Sequence, residues 1–142
     1  MWRPLGPAHR QRGVAAVEFA SLLPLFLTLL FGVVELSFAL YDKAIITNAS
    51  REAARAGIVF AKPRLTPTKI GNIAVDYATE LLVTFGNSEP PIVTVDQSAG
   101  TAPGSPLKVT VSYAYKGLVL TSLVSKLTSP IMLSASTVMS YE

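Results

Sequence analysis

The sequence predicts an α+β protein in which one long N-terminal helix, apolar enough over half its length to lie in a membrane, leads into a small head. The head is expected to hold one further helix and an antiparallel sheet of three or four strands. Three observations predict this. Apolar residues are concentrated between Val14 and Leu40, where Glu18 and Glu35 are the only charged side chains. Helical periodicity returns between Pro67 and Phe85, and two later segments alternate with a period of two. The parts are therefore a basic leader at 1–13, a transmembrane and protruding helix at 14–57, and an extracytoplasmic head at 58–142.

The leader carries Arg3, Arg10 and Arg12, and with them all of the excess charge of a chain whose formal net charge is +3. From Val14 onward basic and acidic residues balance, so no basic stripe remains to follow a phosphate backbone and no nucleic-acid partner is expected. The positive charge reads instead as a topology signal. Arg10 and Arg12 stand just before the apolar run and hold the N-terminus on the cytoplasmic side of a lipid bilayer.

Phe19 to Val34 is almost wholly apolar, and with Glu35 at the far interface the run reaches about 22 residues, enough for a hydrocarbon core of roughly 30 Å. Pro24 removes one backbone donor near the start of the span. Glu35 is expected to be an ordinary solvated residue at the outer interface. The helix should continue past the bilayer, because Tyr41 to Ala56 lacks proline and keeps Ile45, Ala49, Ala53 and Ala56 at helical spacing. Gly57 then offers a C-cap, with Arg55 near the negative end of the helix dipole. Such a helix would be about 65 Å long, twice the thickness of the membrane core.

In the head, Thr66 can cap a helix that has Pro67 at its first position. Ile70, Ile73, Ala74, Tyr77, Ala78, Leu81, Leu82 and Phe85 give that helix one apolar face, and Gly86-Asn87 should end it. Asp76 and Glu80 share its opposite surface at i, i+4, the arrangement of a solvated face. Ile92 to Val95 is a short strand candidate. Lys108 to Tyr115 places Val109, Val111, Tyr113 and Tyr115 on one side, and Ile131 to Tyr141 does the same with Ile131, Leu133, Ala135, Met139 and Tyr141. A sheet with one dry face follows, and the helix stripes can cover it. Ser98 to Pro106, rich in Gly, Pro, Ser and Ala, reads as a mobile loop. Leu118 to Leu127 is apolar but too short to span, and is expected to pack as a short helix or irregular segment.

The residues that carry chemistry in most enzymes are missing. The chain has no cysteine, and its one histidine, His9, lies in the leader, so neither a Cys/His metal site nor a serine–histidine triad can be assembled. Asp76, Glu80, Asp96 and Glu142 form no recognisable acid–base spacing. No catalytic residue, metal or cofactor is expected. Asn48-Ala49-Ser50 fits a glycosylation sequon, but it falls inside a helix.

Three readings share the N-terminal features. The span is an uncleaved anchor, a signal peptide cut near Ser37-Phe38-Ala39, or the retained helix of a protein cut ahead of its apolar run. The apolar run exceeds the usual length of a signal-peptide core, which weighs against the second. The third rests on Arg12-Gly13 followed by Val14-Ala15-Ala16-Val17-Glu18-Phe19, which looks like a class III signal. A flexible glycine suits an extended scissile bond, and a cut after Gly13 would expose a new α-amine on Val14. Glu18 would then lie four positions along the same helical face, close enough to pair with that amine. Between chains, the same pair would set the axial register of adjacent helices. The competing reading of Glu18 is a carboxylate hydrated at the inner interface.

These residues resemble the TadE-like minor pilins or pseudopilins of the Tad (Flp) pilus, a type IVb system. The resemblance runs from Arg12 to Gly57, about a third of the chain. Its marks are Arg12-Gly13, Ala16-Val17-Glu18-Phe19-Ala20, Pro24, Phe31-Gly32, Glu35 and the run Asn48 to Gly57. It implies a pilin-like fold, cleavage between Gly13 and Val14 by a prepilin peptidase, and residence in the bacterial inner membrane. It also implies a structural role in assembling, priming or anchoring a fibre, with other Tad pilus subunits and the inner-membrane assembly platform as partners. Glu18 takes the place of the family's acid at the fifth residue of the mature chain. The head resembles the family only in style. The alternatives are an uncleaved bitopic envelope adaptor and an exported enzyme.

Overall fold

The computed structural model describes residues 8–86, 89–117 and 131–142, with side chains from Gly13 onward. Helix α1 (Ala8–Ile58) is followed by α2 (Pro67–Leu81) and by strands β1 (Ile92–Asp96), β2 (Pro106–Tyr115) and β3 (Ile131–Ser140). The strands form one antiparallel sheet in the order β1-β2-β3. This is the α+β architecture that the sequence predicts, with three strands among the described residues. Leu118 to Leu127, expected as a packing segment, lies outside them.

The central strand β2 supplies the dry face: Leu107, Val109, Val111, Tyr113 and Tyr115 are all buried, and the residues between them turn outward. Two helices cover that face. α1 lies over β2 and β3, and α2 fills the side towards β1. The buried side of α1 is built from Ile46, Ala49, Ser50, Ala53, Ala54 and Gly57, mostly small residues that bring the helix axis close to the sheet. α2 contributes Ile70, Ala74 and Ala78. Its start follows local chemistry: Thr66 is extended, its hydroxyl accepts the Lys69 N–H at 3.4 Å, and Pro67 follows at the first position.

Contacts spread along the chain fix how α1 and the sheet lie. The Tyr115 hydroxyl reaches the Glu35 carbonyl, and Tyr115 pairs with Ile131. The Lys43 ammonium donates to the Ser134 carbonyl, Ser50 Oγ lies 2.7 Å from Thr137 Oγ1, and the Glu142 N–H points to the Ile58 carbonyl at 3.4 Å. From Glu35 to Ile58 the helix rises roughly 35 Å. From Ile131 to Glu142 an extended chain covers roughly 36 Å. The two lengths agree, so β3 runs alongside the helix and in the same direction, not across it.

Four expectations need correction. Gly57 is not a C-cap. It lies inside α1, buried, and a Cβ there would come within 2.5 Å of Leu107 Cδ2 and 2.8 Å of Ile70 Cδ1. Its role is close packing, and the last turn is closed by Arg64, whose guanidinium reaches the Ile58 carbonyl at 3.4 Å while stacking on Tyr141. α2 stops at Leu81, short of Phe85, because Leu82 is extended and the Val83 N–H is committed to Asp42 Oδ1 at 3.0 Å. Phe85 then adopts a positive φ of 40° and packs edge-on against Phe38, centroids 5.0 Å apart.

The third correction concerns Glu35, which is only 8% exposed: the head reaches down α1 far enough to cover it. The fourth is Ser98 to Pro106, which is pinned and not free. The Ser98 N–H bonds to Asp96 Oδ1, the Gly104 N–H bonds to the Tyr141 carbonyl, and the Tyr141 N–H bonds to the Ser105 carbonyl, each at 2.9 Å. Gly104 accepts the φ of +86° that this return requires.

Candidate functional site

α1 divides into two halves with opposite surroundings. From Glu35 to Gly57 one side is sealed against the head. Between Gly13 and Val34 every residue is exposed except Gly32, which is half-buried. Phe19, Leu22, Leu25, Phe26 and Leu29 are each at least 60% uncovered, which water would not tolerate over such a length. It is the one helix among the described residues long and apolar enough to cross a membrane.

Its hydroxyls are satisfied internally. The hydroxyls of Ser21, Thr28 and Ser37 each donate to the carbonyl four residues back, at 2.8 Å, on Val17, Pro24 and Val33. Hydroxyls satisfied in this way are compatible with lipid. Pro24 leaves the helix unbroken. A single membrane-crossing helix carrying a head at one end is the form of a single-pass membrane protein.

Glu18 is the one charged side chain in the stretch from Gly13 to Val34, and it is exposed. Neither head nor helix offers it a counter-charge among the described residues. Gly13 and Val14 are exposed within continuous helix, and a Cβ at Gly13 would meet nothing within 4 Å. No packing requirement therefore accounts for a glycine there. Arg10 and Arg12 lie in the helical backbone five and three residues ahead of Ala15. The structure thus aligns Gly13, Val14 and Glu18 on one helix end, and among the described residues no part of the head reaches them.

Residues 13–55 match the family described as TadE-like protein. The segment is similar to that family. The match begins at the glycine that packing does not explain and ends in the last turn of α1, so α2 and the sheet lie beyond it. The chain matches none of the curated proteins and none of the solved structures with which it was compared.

One polar cluster escaped sequence reasoning. Asp42 is fully buried where α1, α2 and β2 meet. One carboxylate oxygen accepts the Val83 N–H, while Oδ2 has no hydrogen-bond partner. Desolvation pushes its pKa above the usual carboxylate range, against the lowering effect of the Val83 bond. Burial, with the negative charge of Glu35 and Asp42 nearby, pushes the Tyr115 hydroxyl up to about 12. The signal was present: Asp42 falls three residues before Ile45 and seven before Ala49, on the stripe that was read as apolar.

Proposed function

We propose that the chain is a minor pilin or pseudopilin of a Tad-type pilus, a structural subunit with no catalytic role. In this reading a prepilin peptidase cuts between Gly13 and Val14 and the apolar helix stays with the mature protein. Arg10 and Arg12 keep the leader in the cytoplasm, and the head stands outside the inner membrane. The new α-amine of Val14 and the carboxylate of Glu18 then pair, within one helix or between neighbours, and set the height at which subunits dock on one another and on the assembly platform.

The observation that carries the proposal is the extent of the TadE-like match, which starts at Gly13 and stays on one helix whose first half is bare. A lone carboxylate in a lipid-facing helix is costly, and a partner supplied by assembly removes that cost. Cleavage after Gly13 leaves the head intact, because among the described residues the sealed side of α1 begins at Glu35. The test is the N-terminus of the protein from its native membrane, by intact mass and terminal sequencing. A start at Val14 supports the proposal, and a start at Met1 overturns the processing step.

The second reading is an uncleaved bitopic adaptor. The continuous helix across Gly13 and Val14 favours it, since a peptidase needs an extended bond. Under that reading Glu18→Ala leaves function unchanged.

A further inference from the structure

Because β3 runs alongside α1, each residue of the sheet has a height on the helix. Tyr115 and Ile131 stand at the level of Glu35, where the uncovered apolar run ends, and Ser134 stands at the level of Lys43. The lower end of the sheet is therefore the end nearest the bilayer. Large apolar side chains are exposed there. Ile131 and Met132 are 51% and 57% exposed, and Leu36 and Leu40 on α1, at the same height, are 61% and 62% exposed. Lys116, next to Tyr115, is exposed at this edge as well.

The opposite end of the head differs. It exposes Val59 and Phe60, but Lys62 and Arg64 stand over the Phe60 ring, 5.7 and 5.3 Å from its centroid. The lower edge has an apolar surface continuous with that of the span through Leu36. That continuity suits the boundary between acyl chains and headgroups, where apolar side chains sink a few ångströms.

We propose that this edge of the head is a second membrane-contact surface, in which Ile131 and Met132, together with Leu36 and Leu40, sit in the outer leaflet around the emerging helix. The inference rests on the single-pass reading of α1. Its consequence is that the head is held against the bilayer at a fixed height and rotation until assembly lifts it away.

The chain has no cysteine, so single labels can be placed freely. Full-length Met132→Cys, Val138→Cys and Phe26→Cys, each carrying a nitroxide, would be reconstituted in vesicles of phosphatidylcholine and phosphatidylglycerol. Collision with oxygen and with a water-soluble nickel chelate then reports depth. Val138 is 60% exposed on the same strand, roughly 20 Å further from the bilayer. The expected result is a lipid-like ratio at positions 26 and 132 and an aqueous ratio at 138. A label at 132 as aqueous as that at 138, with 26 in lipid, overturns the second contact and leaves the anchor standing. An aqueous label at 26 overturns the single-pass reading and the inference with it.

Discussion

Tyr115 donates its phenolic hydrogen to the backbone carbonyl of Glu35 at 3.1 Å, joining the last residue of β2 to the point on α1 where the bare apolar run gives way to the head. The bond is buried, and it closes the interface at the end nearest the membrane.

Replacing Tyr115 with Phe removes this bond and leaves the ring in place. We expect a loss of about 1 kcal/mol, the usual net value of one hydrogen bond, read as a lower midpoint in thermal unfolding of the full chain in micelles. The variant also has a pH signature. With the hydroxyl at about 12 in the folded protein, the unfolded chain loses this proton first, near pH 10. Wild-type stability should therefore fall as pH rises from about 10 to 12, and Tyr115→Phe should remove that share of the fall.

Asp42→Asn tests the buried carboxylate. The folded state raises its pKa above the unfolded value of 3.8, so between those two values the folded protein holds the proton more tightly. Stability contributed by this group is complete below 3.8 and declines as pH rises through the window above it. Asn keeps an acceptor for the Val83 N–H and cannot ionise. Its unfolding midpoint should be higher than wild type at pH 7 and equal or lower near pH 3. A parallel pH course in both proteins would show that folding does not raise the pKa of Asp42.

Gly57→Ala should destabilise the protein although alanine is the better helix former. The helix gain is about 1 kcal/mol. Against it, the new methyl meets the side-chain ends of Leu107 and Ile70, both fully buried, so one or both must shift within the packed core. Overpacking of this kind costs about 1 to 3 kcal/mol, so a net loss of up to about 2 kcal/mol is expected. A stabilised variant would mean that Gly57 is only a helix-terminal residue.

Glu18→Ala should leave membrane insertion and N-terminal processing intact and reduce assembly. Cell fractionation and terminal sequencing report the first two, and sheared surface fibres report the third. Fibres in normal number and length would refute the register role. A variant that fails to insert would instead assign Glu18 to topology.

The sequence announces much of this fold through periodicity. Val109, Val111, Tyr113 and Tyr115 alternate without interruption, and the strand they mark packs as that alternation requires. Thr66 and Pro67 mark the start of α2 by local chemistry alone. Its end was hidden, because Leu82, Val83 and Phe85 continue the apolar rhythm while the Val83 N–H is taken by Asp42 on α1. Periodicity reports which side chains are buried, not which backbone carries them. Glu35 misleads for a related reason, since an acid on a helix reads as solvated until the element that covers it is known. For the candidate site, Gly13, Val14 and Glu18 stand out by residue type alone, and the fold adds that packing explains none of them.

The alignment of β3 with α1 also decides how the molecule carries load. A pull on the head directed away from the membrane acts along the helix axis, parallel to the interface with the sheet. The bridges at Glu35, Lys43, Ser50 and Ile58 are then strained together, in shear, and must fail together. A sheet laid across the helix would be peeled from it one bridge at a time. The same backbone that crosses the bilayer is the spine of the head, so tension applied outside reaches the lipid-facing half without passing through a joint.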